Sequence, residues 1–437
     1  MARNLTPEPT VNDVLAQPLT LPCGAILPNR ICKSAMTEGL ADASGHADER
    51  HVELYRRWSE GGAGLHVTGN VMVDWRYLER PGNVVVEDAS GIEALERWAE
   101  AGTVAGNHLW AQISHPGRQC SRMSNARPVA PSAVQLKLGG LFGRPRALTE
   151  AEIADLVERY ATTAEIVKRA GFTGVQVHGA HGYLVSQFLS PRTNRRDDRW
   201  GGKLENRARF LLETVRAVRS KVGPGFPLAV KLNSADFQRG GFEPDDAARV
   251  AGWLAEEGID LLEISGGTYE RLRFFEEGEA AGEAASTRAR EAYFLDYAQT
   301  IRGELGAVPL AVTGGFRSRS AMADAVASGE LDVVGVARPL CVDPGVPRAL
   351  LAGELDEAPR WERRLRLGPG PLGPASASAT VRGLNHQAQG AWFYRQILAL
   401  ADGREPDAAL TARRALYLHF RDELRLARER RRFRRLG

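Results

Sequence analysis

Short apolar segments alternate with longer amphipathic segments along most of this 437-residue chain, and that alternation restricts the fold more than any other feature. A near-continuous apolar run predicts a strand buried on both faces, and the amphipathic spans between such runs predict helices. Eight strands are predicted, over residues 30–36, 64–69, 108–113, 174–178, 228–232, 260–265, 309–314 and 332–337. Eight strand–helix units predict an α/β fold of the (β/α)8 TIM-barrel class. A Rossmann fold is disfavoured, because no G-x-G-x-x-G sequence joins a first strand to a helix.

The span between the third and fourth predicted strands carries the clearest helix signals. Thr149 predicts an N-cap, Glu152 completes a capping box with it, and Gly171 predicts the end of the helix. The span before it, residues 119–146, is a long connection rich in proline and glycine. Loops of this length in a compact domain are often functional.

The barrel is predicted to occupy residues 1–358, followed by a helical C-terminal extension over residues 359–437. Residues 368–380 are rich in proline, glycine and serine and predict a linker, and two helical patterns follow it. Residues 413–435 hold ten arginines and three acidic residues, a local net charge of +7 in a chain of net charge +3. Leu416, Phe420, Leu424 and Ala427 have helical spacing, which favours an amphipathic closing helix with a solvated arginine face. A basic tail that binds nucleic acid is the alternative.

Composition and cysteine spacing predict a cytoplasmic protein. The N-terminus lacks the apolar core of a signal peptide, and no run approaches the ~20 apolar residues that a membrane helix needs. The four cysteines, Cys23, Cys32, Cys120 and Cys341, are too far apart for a C-x-x-C pair, which predicts reduced thiols.

Proton-handling side chains are concentrated at the end of the fourth predicted strand. His178, His181 and Tyr183 lie within six residues there. In a (β/α)8 barrel the side chains that carry out chemistry lie at the carboxyl ends of strands, so this cluster is a candidate site. Zinc binding by the two histidines is a weaker alternative, because no cysteine or carboxylate ligand is near them in the sequence.

Other strand ends supply further candidates. They follow or lie in the first, third and fifth strands: Met36, Thr37, Gln112, His115, Arg118 and Lys231. The loops after the last two strands of such barrels commonly bind phosphate through glycine amides and a helix N-terminus. Gly314 and Gly315 lie at the first of these loops, and Ala337 and Arg338 lie at the second. We therefore predict an anion site there, with Arg338 able to form a bidentate pair.

Taken together, these segments resemble the Old Yellow Enzyme family of FMN-dependent oxidoreductases over roughly residues 19–350. The resemblance rests on PNRICKSAMTEGLAD, WAQISHPGRQ, HGAHGYLVSQFLSPRTNRRDDRWGGKLENRARF, VKLNSADF, and VTGGF with VVGVARPL. It implies FMN at the mouth of the barrel, NADH or NADPH as hydride donor, and an electron-poor alkene as the small-molecule substrate.

The resemblance also implies which residues bind the cofactor. Ala35, Met36, Thr37 and Asn70 match positions beside the ring, Gln112, His178 and Lys231 match positions along its polar side, and Gly314, Gly315, Ala337 and Arg338 match the phosphate region. Thr37 matches a side chain that hydrogen-bonds the flavin O4. Lys231 matches the cation near N1 and O2, where a fixed positive charge favours the reduced flavin.

His178, His181 and Tyr183 match the family's catalytic residues. Negative charge builds on the carbonyl oxygen of an activated alkene that accepts a hydride, and two imidazole N–H groups can stabilise that charge. A phenol has an ordinary pKa near ~10 and is protonated at neutral pH, so Tyr183 can donate the proton.

Three departures from the family pattern affect the expectation. Thr37 replaces the cysteine of some members, and Ala35 stands where many have proline. Only Cys341 follows Ala337, which disfavours the family's iron–sulfur branch with its second nucleotide-binding domain. The expected partners are a small molecule and, as an open alternative, a second copy of the chain, with neither membrane nor nucleic acid.

Two other functions stay open at this point. A flavin barrel could instead oxidise or demethylate an amine or alcohol. Alternatively, the arginine-rich tail could bind nucleic acid or another partner, with the barrel as its scaffold.

Overall fold

The computed structural model describes residues 14–137, 140–236, 239–265 and 298–436. Its strands are β1 (Leu19–Thr20), β2 (Ile26–Leu27), β3 (Ile31–Lys33), β4 (Leu65–Met72), β5 (Val84–Val85), β6 (His108–Ser114), β7 (Val129–Ala130), β8 (Arg146–Ala147), β9 (Gly174–Gly179), β10 (Leu228–Asn233), β11 (Leu261–Ser265), β12 (Leu310–Thr313) and β13 (Val333–Val336). Its longer helices are α1 (Glu49–Glu60), α2 (Ile92–Ala101), α3 (Glu150–Arg169), α4 (Leu184–Leu189), α5 (Leu204–Val222), α6 (Pro244–Glu256), α7 (Arg319–Ala327), α8 (Val346–Leu351), α9 (Ala379–Ala401) and α10 (Ala412–Leu436).

Eight parallel strands close into a barrel. Around it the order is β3, β4, β6, β9, β10, β11, β12 and β13, and β13 pairs with β3 to complete the ring. The predicted (β/α)8 barrel is therefore confirmed, and each of its strands lies where a predicted strand lies. Two of the observed strands, β3 and β4, differ in length from the predicted ones, and both differences affect the site. Because β3 ends at Lys33, Met36 and Thr37 follow the strand, and because β4 runs to Met72, Asn70 lies within it.

The bottom of the barrel is filled by apolar side chains. Trp110, Leu65 and Leu261 are buried there, and the hairpin formed by β1 and β2 packs against them through Leu21 and Leu27. Polar side chains replace apolar ones towards the carboxyl ends of the strands. Along β10, for example, Ala229 belongs to the apolar cluster, and Lys231 lies two residues later on the same face. The open, polar end is therefore the carboxyl end.

The capping signals of α3 are confirmed. The Thr149 hydroxyl accepts the backbone N–H of Glu152, and the Glu152 carboxylate accepts the backbone N–H of Thr149. Gly171 has a φ of 92°, a left-handed conformation that glycine adopts without steric cost, and the chain leaves the helix there.

The C-terminal extension folds into α9 and α10, and these helices lie against the barrel. In α10 the buried face is formed by Ala415, Glu423, Ala427 and Arg430. The apolar face predicted from spacing is wrong in part, because Phe420 and Leu424 are 38% and 46% exposed. Buried polar groups take their place: Glu423 pairs with Arg80 of the barrel at 2.5 Å, and Arg430 donates to the carbonyl of Pro81.

The long connection before α3 contains a small parallel sheet. β7 pairs with β8, and a bridge joins Ser121 to Phe142. Cys23, Cys32, Cys120 and Cys341 carry free thiols. No helix in the described ranges is long and apolar enough to cross a membrane.

Candidate active site

The three proton-handling side chains lie together at the carboxyl end of β9. His178 is in the strand, His181 follows it, and Tyr183 is the residue before α4. The ring centroid of His178 lies 5.2 Å from that of His181 and 4.8 Å from that of Tyr183. His178 and Tyr183 are 3% and 4% exposed, and His181 is half-buried.

The backbone and two polar neighbours hold His181 in this cluster. Its φ is 61°, and it is the one non-glycine residue in the described ranges with a left-handed φ. Its backbone N–H donates to Asn233 Oδ1 at 2.9 Å, and its ring Nε2 lies 3.0 Å from Ser265 Oγ. Asn233 and Ser265 are the last residues of β10 and β11. Two neighbouring strands therefore orient the ring.

Both imidazoles are neutral at pH 7. Burial lowers the pKa of His178 and that of His181 well below 6.5, and the charge of Lys231 lowers both further. In His178, Nδ1 accepts the backbone N–H of Ala180 at 3.3 Å. The ring proton of His178 is therefore on Nε2, which can donate a hydrogen bond.

A network of polar side chains crosses the barrel above its apolar floor. Gln112 Nε2 donates to Gln176 Oε1 at 2.7 Å, and Gln176 Nε2 donates to Glu263 Oε2 at 2.7 Å. Lys231 Nζ lies 2.8 Å from Glu263 Oε1, which also accepts the hydroxyl of Thr313. Gln112 and Lys231 are therefore brought into one network, and a carboxylate is its central acceptor.

A second carboxylate joins residues at the first strand end. Ala35, Met36 and Thr37 are half-buried at the mouth of the barrel. The Thr37 hydroxyl donates to Glu79 Oε2 at 3.1 Å, and Asn70 Nδ2 donates to the same oxygen at 3.2 Å. The structure therefore brings Thr37 and Asn70 together around Glu79.

The predicted phosphate residues follow two neighbouring strands. Gly314 and Gly315 come after β12, and Ala337 and Arg338 come after β13. Both glycines have positive φ, at 140° and 83°, and so turn the backbone in a way that other residues rarely adopt. Arg338 lies 3.3 Å from Glu362, and the buried Arg317 donates to the same carboxylate oxygen at 3.0 Å. Burial and the charge of Arg338 lower the pKa of Arg317 to about 10.

The described residues give no support to a zinc site at the two histidines. Within those ranges no group of three or more His, Cys, Asp or Glu side chains could hold a metal ion.

Several residues of the site were not predicted from the sequence. They are Glu79, Gln176, Asn233, Glu263, Ser265, Arg317 and Glu362. One sequence signal could have identified some of them, namely a polar residue within an apolar strand, such as Glu263 in LLEIS. A polar side chain that is buried in such a strand must face a polar partner. Glu79, Arg317 and Glu362 lie in loops or short turns, where no periodicity indicates the direction of a side chain.

These residues fit FMN on three observations. Asn70 Oδ1 is buried and accepts no hydrogen bond from the described residues, so it can take a donor from a ligand. Two guanidinium groups, of Arg317 and Arg338, follow β12 and β13 and both contact Glu362, and guanidinium groups suit a phosphate. Gln112 and Lys231 supply donors for the polar edge of a ring.

Comparison with known proteins shows the family to which this chain belongs. Residues 15–357 match the model of the NADH:flavin oxidoreductase / NADH oxidase family. The NADH-dependent flavin oxidoreductase iliE of Hypocrea jecorina is 38% identical over 356 residues, which cover 76% of this chain and 88% of that protein.

Two solved structures are also similar. A 2-naphthoyl-CoA reductase in complex with 2-naphthoyl-CoA has a TM-score of 0.72 and 26% identity, covering 79% of this chain and 54% of that one. The old yellow enzyme homologue of Zymomonas mobilis has a TM-score of 0.66 and 25% identity, covering 78% of this chain and 94% of that one. The chain thus spans about half of the first protein and nearly all of the second.

The family match confirms the predicted enzyme class, and it confirms FMN and a nicotinamide as the cofactors. This chain therefore belongs to the NADH:flavin oxidoreductase / NADH oxidase family, as an oxidoreductase of the Old Yellow Enzyme type.

Proposed function

We propose that this protein is an ene-reductase, which uses NADH or NADPH to reduce the C=C bond of an electron-poor alkene. The observation that carries the proposal is the cluster of His178, His181 and Tyr183, in which two neutral imidazoles lie beside a phenol. Two neutral N–H donors and one weak acid are the groups that reduction of a conjugated carbonyl compound needs.

The cofactor would be held by residues at three places around the mouth of the barrel. Ala35, Met36, Thr37 and Asn70 would lie beside the ring, Gln112, His178 and Lys231 would lie along its polar side, and Gly314, Gly315, Ala337 and Arg338 would bind the phosphate, with Arg317 as an additional cation. When bound, FMN supplies the hydride acceptor and donor that links the nicotinamide to the substrate.

In this proposal, His178 and His181 bind the carbonyl oxygen of the substrate. His178 donates through Nε2, because its Nδ1 already accepts the N–H of Ala180. Burial keeps both rings neutral, so this pair of imidazoles does not add two full positive charges next to Lys231. As negative charge builds on the carbonyl oxygen, each hydrogen bond becomes stronger, which lowers the barrier.

Tyr183 is the proton donor in the same proposal. Its ring lies against His178 at 4.8 Å, so a substrate held by the imidazoles would have the phenol beside its carbon skeleton. Tyr183 is 4% exposed, which limits the access of bulk water to its hydroxyl.

Oxidation or demethylation of an amine or alcohol is the second candidate within flavin chemistry. It would use the same cofactor site but would not need a phenol as proton donor. Comparing reduction of 2-cyclohexenone with oxidation of a panel of amines and alcohols, with and without oxygen, separates the two.

The proposal is tested with purified protein loaded with FMN. We expect a flavin absorption spectrum, and we expect NADH or NADPH consumption to accelerate when 2-cyclohexenone is added. The control is the same assay with the saturated cyclohexanone. A protein that stays colourless after reconstitution with FMN would end the proposal, and a protein that binds FMN but fails to reduce the enone would favour the second candidate.

A further inference from the structure

The ion pair of Lys231 and Glu263 is buried inside the barrel. The two residues are 2% and 1% exposed, and Lys231 Nζ lies 2.8 Å from Glu263 Oε1. They are direct partners in the registered pairing of β10 with β11, so neither side chain needs to bend to reach the other. The pair is therefore a fixed part of the barrel interior.

Both oxygens of Glu263 accept hydrogen bonds from neighbouring side chains. Oε1 accepts from Lys231 and from the hydroxyl of Thr313, and Oε2 accepts from Gln176 Nε2. The ammonium of Lys231 and the amide NH2 of Gln176 can only donate, so these two contacts favour the carboxylate form over the carboxylic acid. Lys231 and Glu263 are thus placed as an ion pair.

We propose that Glu263 is a positioning residue that fixes the ammonium of Lys231 and cancels most of its charge at the reduced cofactor. The inference rests on the proposed function, because it takes Lys231 to lie at the polar edge of FMN. It changes what that lysine does: an isolated cation would favour the reduced, more negative cofactor strongly, and a cation with a carboxylate at 2.8 Å favours it weakly.

The proposal predicts opposite effects for loss of the two charges. Glu263→Gln keeps the shape and an acceptor but leaves Lys231 as an uncompensated cation, so binding of reduced FMN becomes stronger relative to oxidised FMN. Lys231→Gln leaves the carboxylate alone and has the reverse effect. Glu263→Gln with Lys231→Gln removes both charges and returns the preference close to that of the wild type.

The experiment measures the dissociation constants of oxidised and reduced FMN for each variant, together with the midpoint potential of the bound flavin. We expect the ratio of the oxidised to the reduced constant to rise about tenfold or more in Glu263→Gln, an increase of about 30 mV for a two-electron couple. Thr313→Val is the matched control. It removes one hydrogen bond to the same carboxylate without changing a charge, and its ratio should stay within about threefold of the wild type.

The outcomes separate this inference from the proposed function. Wild-type protein that does not bind FMN would overturn both. Wild-type protein that binds FMN, with a Glu263→Gln ratio within threefold of it, would overturn only the role of Glu263. If Glu263→Gln does not fold, the double variant decides, because it buries no unpaired charge. A tenfold change of the ratio in that double variant would contradict the cancellation.

Discussion

The imidazoles of His178 and His181 are held neutral by burial, which affects how tightly they can bind an anion. A neutral N–H donor binds an oxyanion less strongly than an imidazolium, but it does not lose a proton when the pH rises through 6.5. We therefore expect ligand binding by these two residues to be nearly constant between pH 6 and pH 8, apart from the titration of the ligand itself.

The proposed binding of an oxygen atom by His178 and His181 can be tested by removing both imidazoles. We expect His178→Ala with His181→Ala to weaken binding of a phenol such as 4-hydroxybenzaldehyde about a hundredfold or more, because two hydrogen bonds to a charged oxygen are lost and each is worth about 1.5–3 kcal/mol. The measurement is the charge-transfer absorbance of the oxidised flavin on titration with the phenol. His46→Ala is the control, since the His46 ring lies at the surface beside Ser90. An unchanged titration curve in the double variant would contradict this binding.

At the level of single residues, the sequence predicted those side chains that match a family motif and missed their partners. Lys231 could be named, but Glu263 could not be assigned to it, because their pairing depends on the register of β10 against β11. Thr37 likewise binds Glu79, which lies in a loop whose path is set by tertiary packing. A motif identifies a group, whereas its charge partner is a property of the folded barrel.

At the level of elements, α10 is attached to the barrel by a buried ion pair. Arg80 and Glu423 are 10% and 9% exposed, and the Arg80 guanidinium also lies over the ring of Tyr394 at 4.1 Å. Because a buried charge that loses its partner is strongly unfavourable, we expect Glu423→Ala to lower the free energy of unfolding by about 3–5 kcal/mol. Urea denaturation measures the change.

The control for that prediction lies on the same helix. Glu429 pairs with Arg425 at 3.4 Å on the exposed side, and such surface pairs contribute about 1 kcal/mol or less. Glu429→Ala should therefore have little effect. If Glu423→Ala were equally mild, α10 would be a loosely attached appendage rather than a part of the barrel's packing.

Helices and strands were predicted correctly where the hydrophobic pattern extended over enough residues to be recognised. The eight barrel strands are continuous apolar runs and α3 is a long amphipathic one, and their positions were predicted to within a few residues. β7 and β8 have two residues each and show no period. In α10 the spacing indicated a helix, but the buried face contains Glu423 and Arg430, and no hydrophobic pattern can predict a buried ion pair.

At the level of the whole molecule, buried histidines make stability depend on pH. Burial lowers the pKa of His66 to about 3 and that of His115 to about 4, and the partial burial of His419 lowers its pKa to about 4. The unfolded chain binds protons at these residues near pH 6.5, and the folded chain does not. The free energy of unfolding therefore decreases as the pH falls below about 6.5, until the folded-state pKa values are reached.

We expect each of these three histidines to cost about 1.4 kcal/mol at pH 5.5 relative to a neutral replacement. Denaturant titrations at pH 5.5 and pH 7.5 measure the difference. His419→Gln, in α10, should reduce the loss by the contribution of one residue. Equal stability at the two pH values would show that these rings titrate normally in the folded protein.

The apolar side chains packed at the β1–β2 end of the barrel determine how ligands can reach its interior. Because this layer closes one end of the barrel, the electron donor and the electron acceptor have to enter at the other end, where the strands have their carboxyl ends. In the proposed function both molecules bind over the flavin ring, so the oxidised nicotinamide would have to leave before the substrate could bind. The two substrates would then occupy the site in turn, and slow release of one product would inhibit binding of the next substrate.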